Sequence, residues 1–337
     1  MMRLPPFEYR GPRTLDEALR VLAGEGPEAI AVAGGTDLFP NMKRRQQTPR
    51  VVVGLRGVRA LAEKRGTPGT GLRLGAGMSL SRVCEDPEVK ASYPGLARAV
   101  KSISTPLLRN MGTLGGNVCL DTRCNYYNQN YEWRKSIDFC MKRDGKICWV
   151  AQSSPKCLAV QSSDSVPMLV ALDARVKLAS ARGEREIPIE QLFVNDGMLY
   201  LSKAPDELVT EIALPAIDGW RGTYWKLRRR ESFDFPVLGV GICLWMEGER
   251  VREARVSIGG VAPAPLRALE VEAALRGQTL APEAIDAAAK RVFQPTKPLD
   301  NTDFTVLWRK QMAEVYVRRM LRELAGLPVE HGPIGMV

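Results

Sequence analysis

The sequence predicts an α+β fold in which a two-part N-terminal α/β domain is followed by a C-terminal domain of antiparallel sheet and helices. Three observations carry that prediction. A short helix–strand alternation ends near residue 56. Strand-like and helix-like stretches then mix through residues 57–217 around a long polar insertion at 121–163. From about residue 220, two adjacent strand patterns give way to a run of helices. Strands grouped apart from helices point to α+β rather than to one regularly alternating sheet. The expected pieces are therefore 1–56, 57–217 and 218–330.

In the first piece, Thr14 with Glu17 three positions on forms a capping-box signature before Ala18, Leu19, Val21 and Leu22, which predicts a helix over 14–22. After a Gly-containing break, residues 29–33 read as a buried strand that runs straight into Gly34-Gly35-Thr36-Asp37, and 51–55 read as a second strand. In the second piece, 72–76 and 174–178 read as strands and 96–103 as a helix. Residues 121–163 show neither a period of 2 nor of 3.6. A structureless connection of that length is functional or disordered, and its cysteines, tyrosines and tryptophans argue against disorder. In the third piece, 237–245 and 251–261 read as paired strands, and 266–275 and 282–292 as helices. Trp308, Met312, Tyr316, Met320 and Leu324 recur at helical spacing within 304–324 and predict a core face.

Composition narrows the function. The formal charge is +10, but the basic residues are scattered apart from Lys43-Arg44-Arg45 and Arg228-Arg229-Arg230, with no aromatic platform beside them. A nucleic-acid partner is therefore not expected; an anionic cofactor, an acidic electron carrier or a partner subunit suits the charge better. No apolar run approaches the roughly 20 residues that span a bilayer, and Met-Met-Arg-Leu-Pro-Pro lacks a secretory signal, so a cytoplasmic location is expected. Seven cysteines without a signal favour ligation or free thiols over a disulfide framework. The single histidine, His331, lies in the tail, which leaves no core histidine for nucleophilic or general-base catalysis. Such a chain borrows its chemistry from a cofactor.

Two glycine pairs suit an anion. Gly34-Gly35 follows a buried strand, and Thr113-Leu114-Gly115-Gly116-Asn117 repeats the composition; without a Cβ the backbone can approach a phosphate closely. Together they can grip one diphosphate from both sides, although each taken alone reads better as a plain tight turn. Neither matches the dinucleotide fingerprint or the P-loop. Just beyond the second pair, Cys124, Cys140, Cys148 and Cys157 are separated by 15, 7 and 8 residues. Four thiolates in a long irregular loop suit a 4Fe–4S cluster. Zinc is the chemical alternative, though its structural sites usually carry cysteines paired at two to four residues; unligated thiols are the third reading. Cys119 reads as structural beneath the cofactor site, and Cys84 and Cys243 as core residues.

Residues 31–38 (Ala31, Val32, Ala33, Gly34, Gly35, Thr36, Asp37, Leu38) and Arg109-Asn110-Met111-Gly112-Thr113-Leu114-Gly115-Gly116-Asn117 resemble the FAD-binding subunit of the molybdenum hydroxylases, the family of xanthine dehydrogenase and carbon monoxide dehydrogenase. Phe7-Glu8-Tyr9, Leu74-Gly75-Ala76-Gly77 and Ile258-Gly259-Gly260-Val261-Ala262-Pro263 with Arg267 extend the resemblance over nearly the whole chain. It implies that two N-terminal pieces, a PCMH-type domain, hold FAD beneath a C-terminal domain. Residues 31–38 and 113–117 would then hold the diphosphate, Asp164 would bind the adenosine half, Lys226 would match a basic position near the flavin, and Ile103 would be a further cofactor contact. Lys226 reads equally well as a solvated strand end.

Most of that family passes from the second glycine turn to the acidic residue within roughly fifteen residues, whereas here about 47 positions separate Asn117 from Asp164. The insertion, with Asn125-Tyr126-Tyr127-Asn128-Gln129 after the first cysteine, resembles the corresponding subunit of 4-hydroxybenzoyl-CoA reductases, which act reductively in aromatic degradation. The resemblance implies an electron-transfer subunit with FAD and a 4Fe–4S cluster. Its implied partners are a molybdopterin-binding large subunit, a 2Fe–2S small subunit and a ferredoxin-like carrier, in a hetero-oligomer that dimerises. An oxidative hydroxylase of a purine, steroid or aldehyde is the alternative, and a self-sufficient flavoprotein oxidase a third reading.

Overall fold

The structure is a computed structural model that describes residues 2–230 and 233–329; His331 and the C-terminal limit at residue 330 lie outside the described residues. The first unit comprises β1 (Glu8–Arg10), α1 (Leu15–Glu25), β2 (Ala29–Val32), α2 (Leu38–Lys43) and β3 (Val51–Gly54). Its three strands pair in parallel in the order β1-β3-β2. The Thr14 hydroxyl accepts the Glu17 N–H at 3.2 Å and caps α1, but the Glu17 carboxylate accepts from Arg13 N–H at 2.8 Å, one residue outside the expected box. Ala18, Leu19 and Leu22 pack on Val51 and Val53 of the central strand. Strand β1 escaped sequence reading because its three residues are all exposed and carry no apolar signal.

The second unit begins with β4 (Lys64–Thr67) and β5 (Gly71–Gly75), then passes through α3 (Leu80–Glu85), α4 (Pro87–Ser92), α5 (Pro94–Lys101), α6 (Pro106–Met111) and α7 (Leu114–Val118). Proline opens α4, α5 and α6, where its missing N–H costs nothing, and each preceding residue lies outside the helix. This chops the segment into short helices, of which the sequence resolves only α5, expected over 96–103. Helix α8 (Tyr131–Ser136) lies in the insertion, and α9 (Ser165–Ala171) follows it with all seven residues buried. Strands β6 (Arg175–Ser180), β7 (Gly183–Pro188) and β8 (Leu208–Ala213) complete a five-stranded antiparallel sheet, order β4-β5-β8-β6-β7.

The third unit is a four-stranded antiparallel sheet, β12-β11-β10-β9, made of β9 (Trp220–Leu227), β10 (Leu238–Glu247), β11 (Arg250–Gly259) and β12 (Leu266–Arg267). Helices α10 (Leu269–Leu275), α11 (Pro282–Lys290) and α12 (Val306–Leu324) cover it. The helix expected from residue 266 starts three residues later, because Leu266 and Arg267 pair with Ile258 and Ser257. Met312, Tyr316 and Met320 are buried on the core face of α12, and Trp308 and Leu324 are partly buried at its ends. The sheet meets the second unit across α9. A Cβ on Gly241 would lie 2.7 Å from the Pro167 carbonyl oxygen, so only glycine admits that contact. The observed class is α+β, as the sequence predicts. Among the described residues, no helix is long and apolar enough to cross a membrane.

Candidate functional site

Strand β2 ends where Gly34, Gly35, Thr36 and Asp37 turn into α2. Gly35 has φ of 71°, a left-handed conformation that glycine adopts without strain. Among the described residues, the backbone N–H groups of Gly34, Gly35, Thr36 and Asp37 have no acceptor, so the turn offers donors to an anion. The second glycine pair behaves differently from the expected turn. Gly115 and Gly116 lie inside α7, capped by Thr113. Their N–H groups are already spent: Leu114 donates to Met78, Gly115 to Ala76, Gly116 to the Thr113 hydroxyl and Asn117 to the Thr113 carbonyl, at 2.8–3.1 Å. This second element contributes close approach rather than donors.

Two cavities meet at these glycines. One, of about 300 Å³, is lined by Ala31, Val32, Ala33, Gly34, Gly35, Thr36, Asp37, Leu38, Ile103, Thr113, Gly116, Asn117 and Asp164. The other, of about 710 Å³, carries Arg56, Arg59, Arg82 and Lys203 on its wall. They share Ala31, Ala33, Gly34, Thr113 and Gly116, which form a waist between two chambers. The shape fits a dinucleotide threaded with its diphosphate at the waist. The Ser162 hydroxyl, buried and without a partner, is a further polar group on the first chamber's wall. Asn117 is held by Ser163 and Ser165, whose hydroxyls donate to its Oδ1 at 2.6 and 2.7 Å.

Of the residues expected from sequence, Leu114, Gly115 and Lys226 do not line the first chamber. Leu114 is fully buried in the core, and Gly115 faces the second chamber. Lys226 is not a solvated strand end; it stands behind Asp164. Its ammonium donates to the Asp164 carboxylate at 2.9 Å and to the Ser102 carbonyl at 3.1 Å, and Tyr224, two residues back on β9, donates to the other carboxylate oxygen at 2.8 Å. Burial pushes the Asp164 carboxyl up, against the opposing pull of Lys226 and Tyr224. Lys226 therefore reaches the chamber only through Asp164.

The four insertion cysteines converge. Cys124, Cys140, Cys148 and Cys157 are all buried and free, and they line one small cavity with Tyr126, Tyr127, Lys142 and Trp149. Burial pushes the Cys124 thiol up to about 12 and the Cys157 thiol up to about 11, with neighbouring cysteines adding to the shift. Such a pocket disfavours a bare thiolate, as burial in apolar surroundings does for any cysteine. Among the described residues, no three His, Cys, Asp or Glu side chains are placed to hold a metal ion. Four thiols lining one cavity are a donor set that both tetrahedral zinc and an iron–sulfur cluster take.

The insertion is pinned to the glycine turn. Arg123 and Val160 exchange backbone hydrogen bonds at 2.8 and 2.7 Å across its neck. The Arg123 guanidinium pairs with Asp37, donates to Asn41 Oδ1 at 3.3 Å and lies 4.6 Å over the Phe235 ring; burial lowers its pKa to about 10.

Residues 5–217 match the FAD binding domain in molybdopterin dehydrogenase, and residues 223–324 match the CO dehydrogenase flavoprotein C-terminal domain. The chain belongs to this family. It is 26% identical over 319 residues to the carbon monoxide dehydrogenase medium chain of Hydrogenophaga pseudoflava, covering 94% of this chain and 96% of that one. It is 25% identical over 321 residues to the glyceraldehyde dehydrogenase medium chain of Sulfolobus acidocaldarius, covering 95% and 99%. Reconstituted CO dehydrogenase from Oligotropha carboxidovorans superimposes with a TM-score of 0.80 at 25% identity, over 97% of this chain and all of that chain. FAD-binding subunits of this family are parts of oxidoreductases, and this chain is one of them.

Sequence reading missed Asp121, Ser162, Tyr200 and Phe235 on the first chamber and the four basic residues on the second. None stands in a motif. Asp121 alone had a signal, as an acid at the entry of the insertion immediately beyond the second glycine pair.

Proposed function

We propose that this flavoprotein subunit holds FAD across the glycine waist and a 4Fe–4S cluster among Cys124, Cys140, Cys148 and Cys157, and relays electrons within a molybdenum hydroxylase-family complex. The observation that carries the FAD placement is the waist itself: two chambers meet where one glycine turn offers free N–H donors and the other offers bare backbone. Bound FAD exchanges one or two electrons and so suits a junction with one-electron carriers. Convergence of four buried thiols on one cavity supports the cluster.

The partners on this reading are a molybdopterin-binding large subunit, a 2Fe–2S small subunit and a ferredoxin-like carrier, in a hetero-oligomer that dimerises. The cysteine insertion supports a 4-hydroxybenzoyl-CoA reductase-like complex, with the organic substrate bound on the large subunit. The three pieces would divide at 56/57 and 217/218. A second reading keeps the same subunit in an oxidative hydroxylase of an aldehyde, purine or steroid, and is favoured by relatives named for glyceraldehyde, carbon monoxide and nicotine.

The test is cofactor analysis of the anaerobically purified complex. FAD, with iron and acid-labile sulfide in equal amounts on this subunit, is the expected result. Zinc in place of iron would overturn the cluster, and a flavin-free folded subunit would overturn the waist. Reduction of 4-hydroxybenzoyl-CoA by the same complex separates the two substrate readings.

A further inference from the structure

The segment that leads out of the insertion alternates in what its side chains meet. Ser162 and Asp164 line the first chamber, whereas Ser163 and Ser165 reach Asn117 near the C-terminal end of α7. Both of these serines are buried, and both hydroxyls donate to one atom, Asn117 Oδ1, at 2.6 and 2.7 Å. The Ser165 backbone N–H donates to the same oxygen at 3.4 Å. That third bond fixes the sense of the carboxamide. A hydroxyl can donate or accept, but a backbone N–H only donates, so the atom it meets is the carbonyl oxygen and not the amide nitrogen. Asn117 Nδ2 is left without a partner among the described residues, on a side chain that lines the first chamber, and it is not sealed from solvent as the Ser162 hydroxyl is.

An asparagine amide free to turn over offers a ligand either two N–H donors or a carbonyl acceptor, and the two suit opposite ligand atoms. Here the choice is made inside the protein before a ligand arrives. We propose that Ser163 and Ser165 are positioning residues that lock the Asn117 amide with its N–H groups toward the first chamber, where Nδ2 donates to an acceptor atom of FAD. The proposal rests on the FAD reading above. Gly116, the residue before Asn117, belongs to the waist where the diphosphate is placed, so the acceptor lies on the part of the cofactor that enters the first chamber from there. The same wall carries Asp37 and Asp121, which accept but do not donate when ionised, and a fixed donor among them supplies what an acceptor atom lacks. Because the amide is already oriented, little conformational freedom is lost on binding, and more of the bond's energy appears as affinity.

The experiment titrates FAD into the purified complex after removal of its flavin and reads the dissociation constant. Asn117→Asp keeps the size of the side chain and an oxygen for the three donors, but replaces the N–H groups by a second oxygen. FAD affinity should then fall about tenfold or more, while thermal unfolding of the flavin-free complex stays near wild type. Wild-type affinity in that variant would overturn the proposal. Ser163→Ala with Ser165→Ala leaves the amide free to turn and should weaken FAD about fivefold. The decisive readout is a cycle with Asn117→Ala. Serines that act through the amide add no further loss once it is gone, whereas serines that merely hold the segment in place add their own. Losses that multiply would therefore overturn the proposal. Should the paired serine variant fail to fold, Ser163→Ala alone enters the same cycle. A wild-type complex that binds no FAD would sink the waist reading and this one with it; normal wild-type binding beside multiplying losses sinks this one alone.

Discussion

Replacing Gly116 by valine separates binding from folding. Gly116 is exposed on α7, its N–H is bonded to the Thr113 hydroxyl at 3.1 Å, and an added Cβ would meet one atom within 4 Å, that hydroxyl at 3.0 Å. Valine is a slightly better helix former than glycine, and the hydroxyl need shift only by tenths of an ångström. The flavin-free protein should therefore stay within about 1 kcal/mol of wild type. The valine methyls, however, project into the waist where backbone must touch the diphosphate. FAD affinity should fall at least a hundredfold, about 3 kcal/mol. Flavin retained per chain after desalting, with thermal unfolding of the deflavinated protein, measures both halves; FAD must be absent in the second because bound ligand raises apparent stability. Gly115→Ala and Gly34→Ala provide the contrast. A Cβ at Gly115 would lie 2.6 Å from Ala76 Cβ, and one at Gly34 would collide with the Met111 carbonyl, so both should lose stability first. A folded Gly116→Val protein with a full complement of flavin would refute the placement of the diphosphate.

Other expectations follow from the buried charges and thiols. Serine at Cys124, Cys140, Cys148 or Cys157 should remove cluster iron while FAD stays, whereas serine at Cys84, Cys119 or Cys243 should spare it; iron and sulfide analysis of each variant decides, and iron surviving Cys140→Ser but not Cys119→Ser would reverse the ligand assignment. Lys226→Met strands the Asp164 carboxylate in the core and should cost about 3–5 kcal/mol in denaturant unfolding; a loss under 1 kcal/mol would show that the pair does not hold the wall. Burial alone would raise the Glu211 carboxyl, but hydrogen bonds from Arg65 and Arg73 outweigh it and hold it below the usual carboxylate range. Its contribution is therefore present above the unfolded value, about 4.3, and lost as pH falls through the lower folded value. Glu211→Gln should cost on the order of 1 kcal/mol at neutral pH, a gap that closes in acid; a gap independent of pH would contradict the assignment.

How far the site was legible in sequence depended on whether each signal was local. Gly34-Gly35 followed a run of apolar residues, so both the buried strand and the turn could be read at once. Gly115-Gly116 had the same composition, yet their N–H groups are taken by the Ala76 carbonyl and the Thr113 hydroxyl. The first of those acceptors lies about forty residues back in the chain, and composition does not encode such a pairing. Asp164 and Lys226 were each singled out, but the bond between them spans 62 positions and appears only when β9 is laid beside α9. In the insertion, the cysteines announced themselves by number and polarity of context. Arg123, Lys142 and Arg134 did not, since a buried cation looks like any surface one until its partners are known. Of the short helices in the second unit, α5 was read as a helix over 96–103, two residues late at each end, while its neighbours α3, α4 and α6 were lost to periodicity.

The insertion itself is held in a way that explains how a family frame can carry it. Chain entry and exit are joined by the Arg123–Val160 bridge, and Gln161 then exchanges backbone bonds with Gly260 and Ala262 at 3.0 Å each, so α7 and α9 keep their places whatever lies between. Lengthening a loop between fixed ends costs little further closure entropy, but ordering its residues costs about 1–2 kcal/mol each. The apolar cluster available to repay that is small: Tyr127, Ala159 and three of the thiols, with Tyr126, Met141, Trp149 and Val150 at its edge. The largest fully buried side chain nearby is Arg134, whose guanidinium donates to the Arg44 carbonyl at 2.7 Å while Nε and Nη1 find no partner. Unmet donors and protonated thiols are poor substitutes for an apolar core. On the cluster reading proposed above, bonds from four thiolates would supply the missing stabilisation, because ligation free energy is then folding free energy for the segment. On that account the insertion is ordered by what its cysteines hold, while the flavin frame outside the neck stands without it.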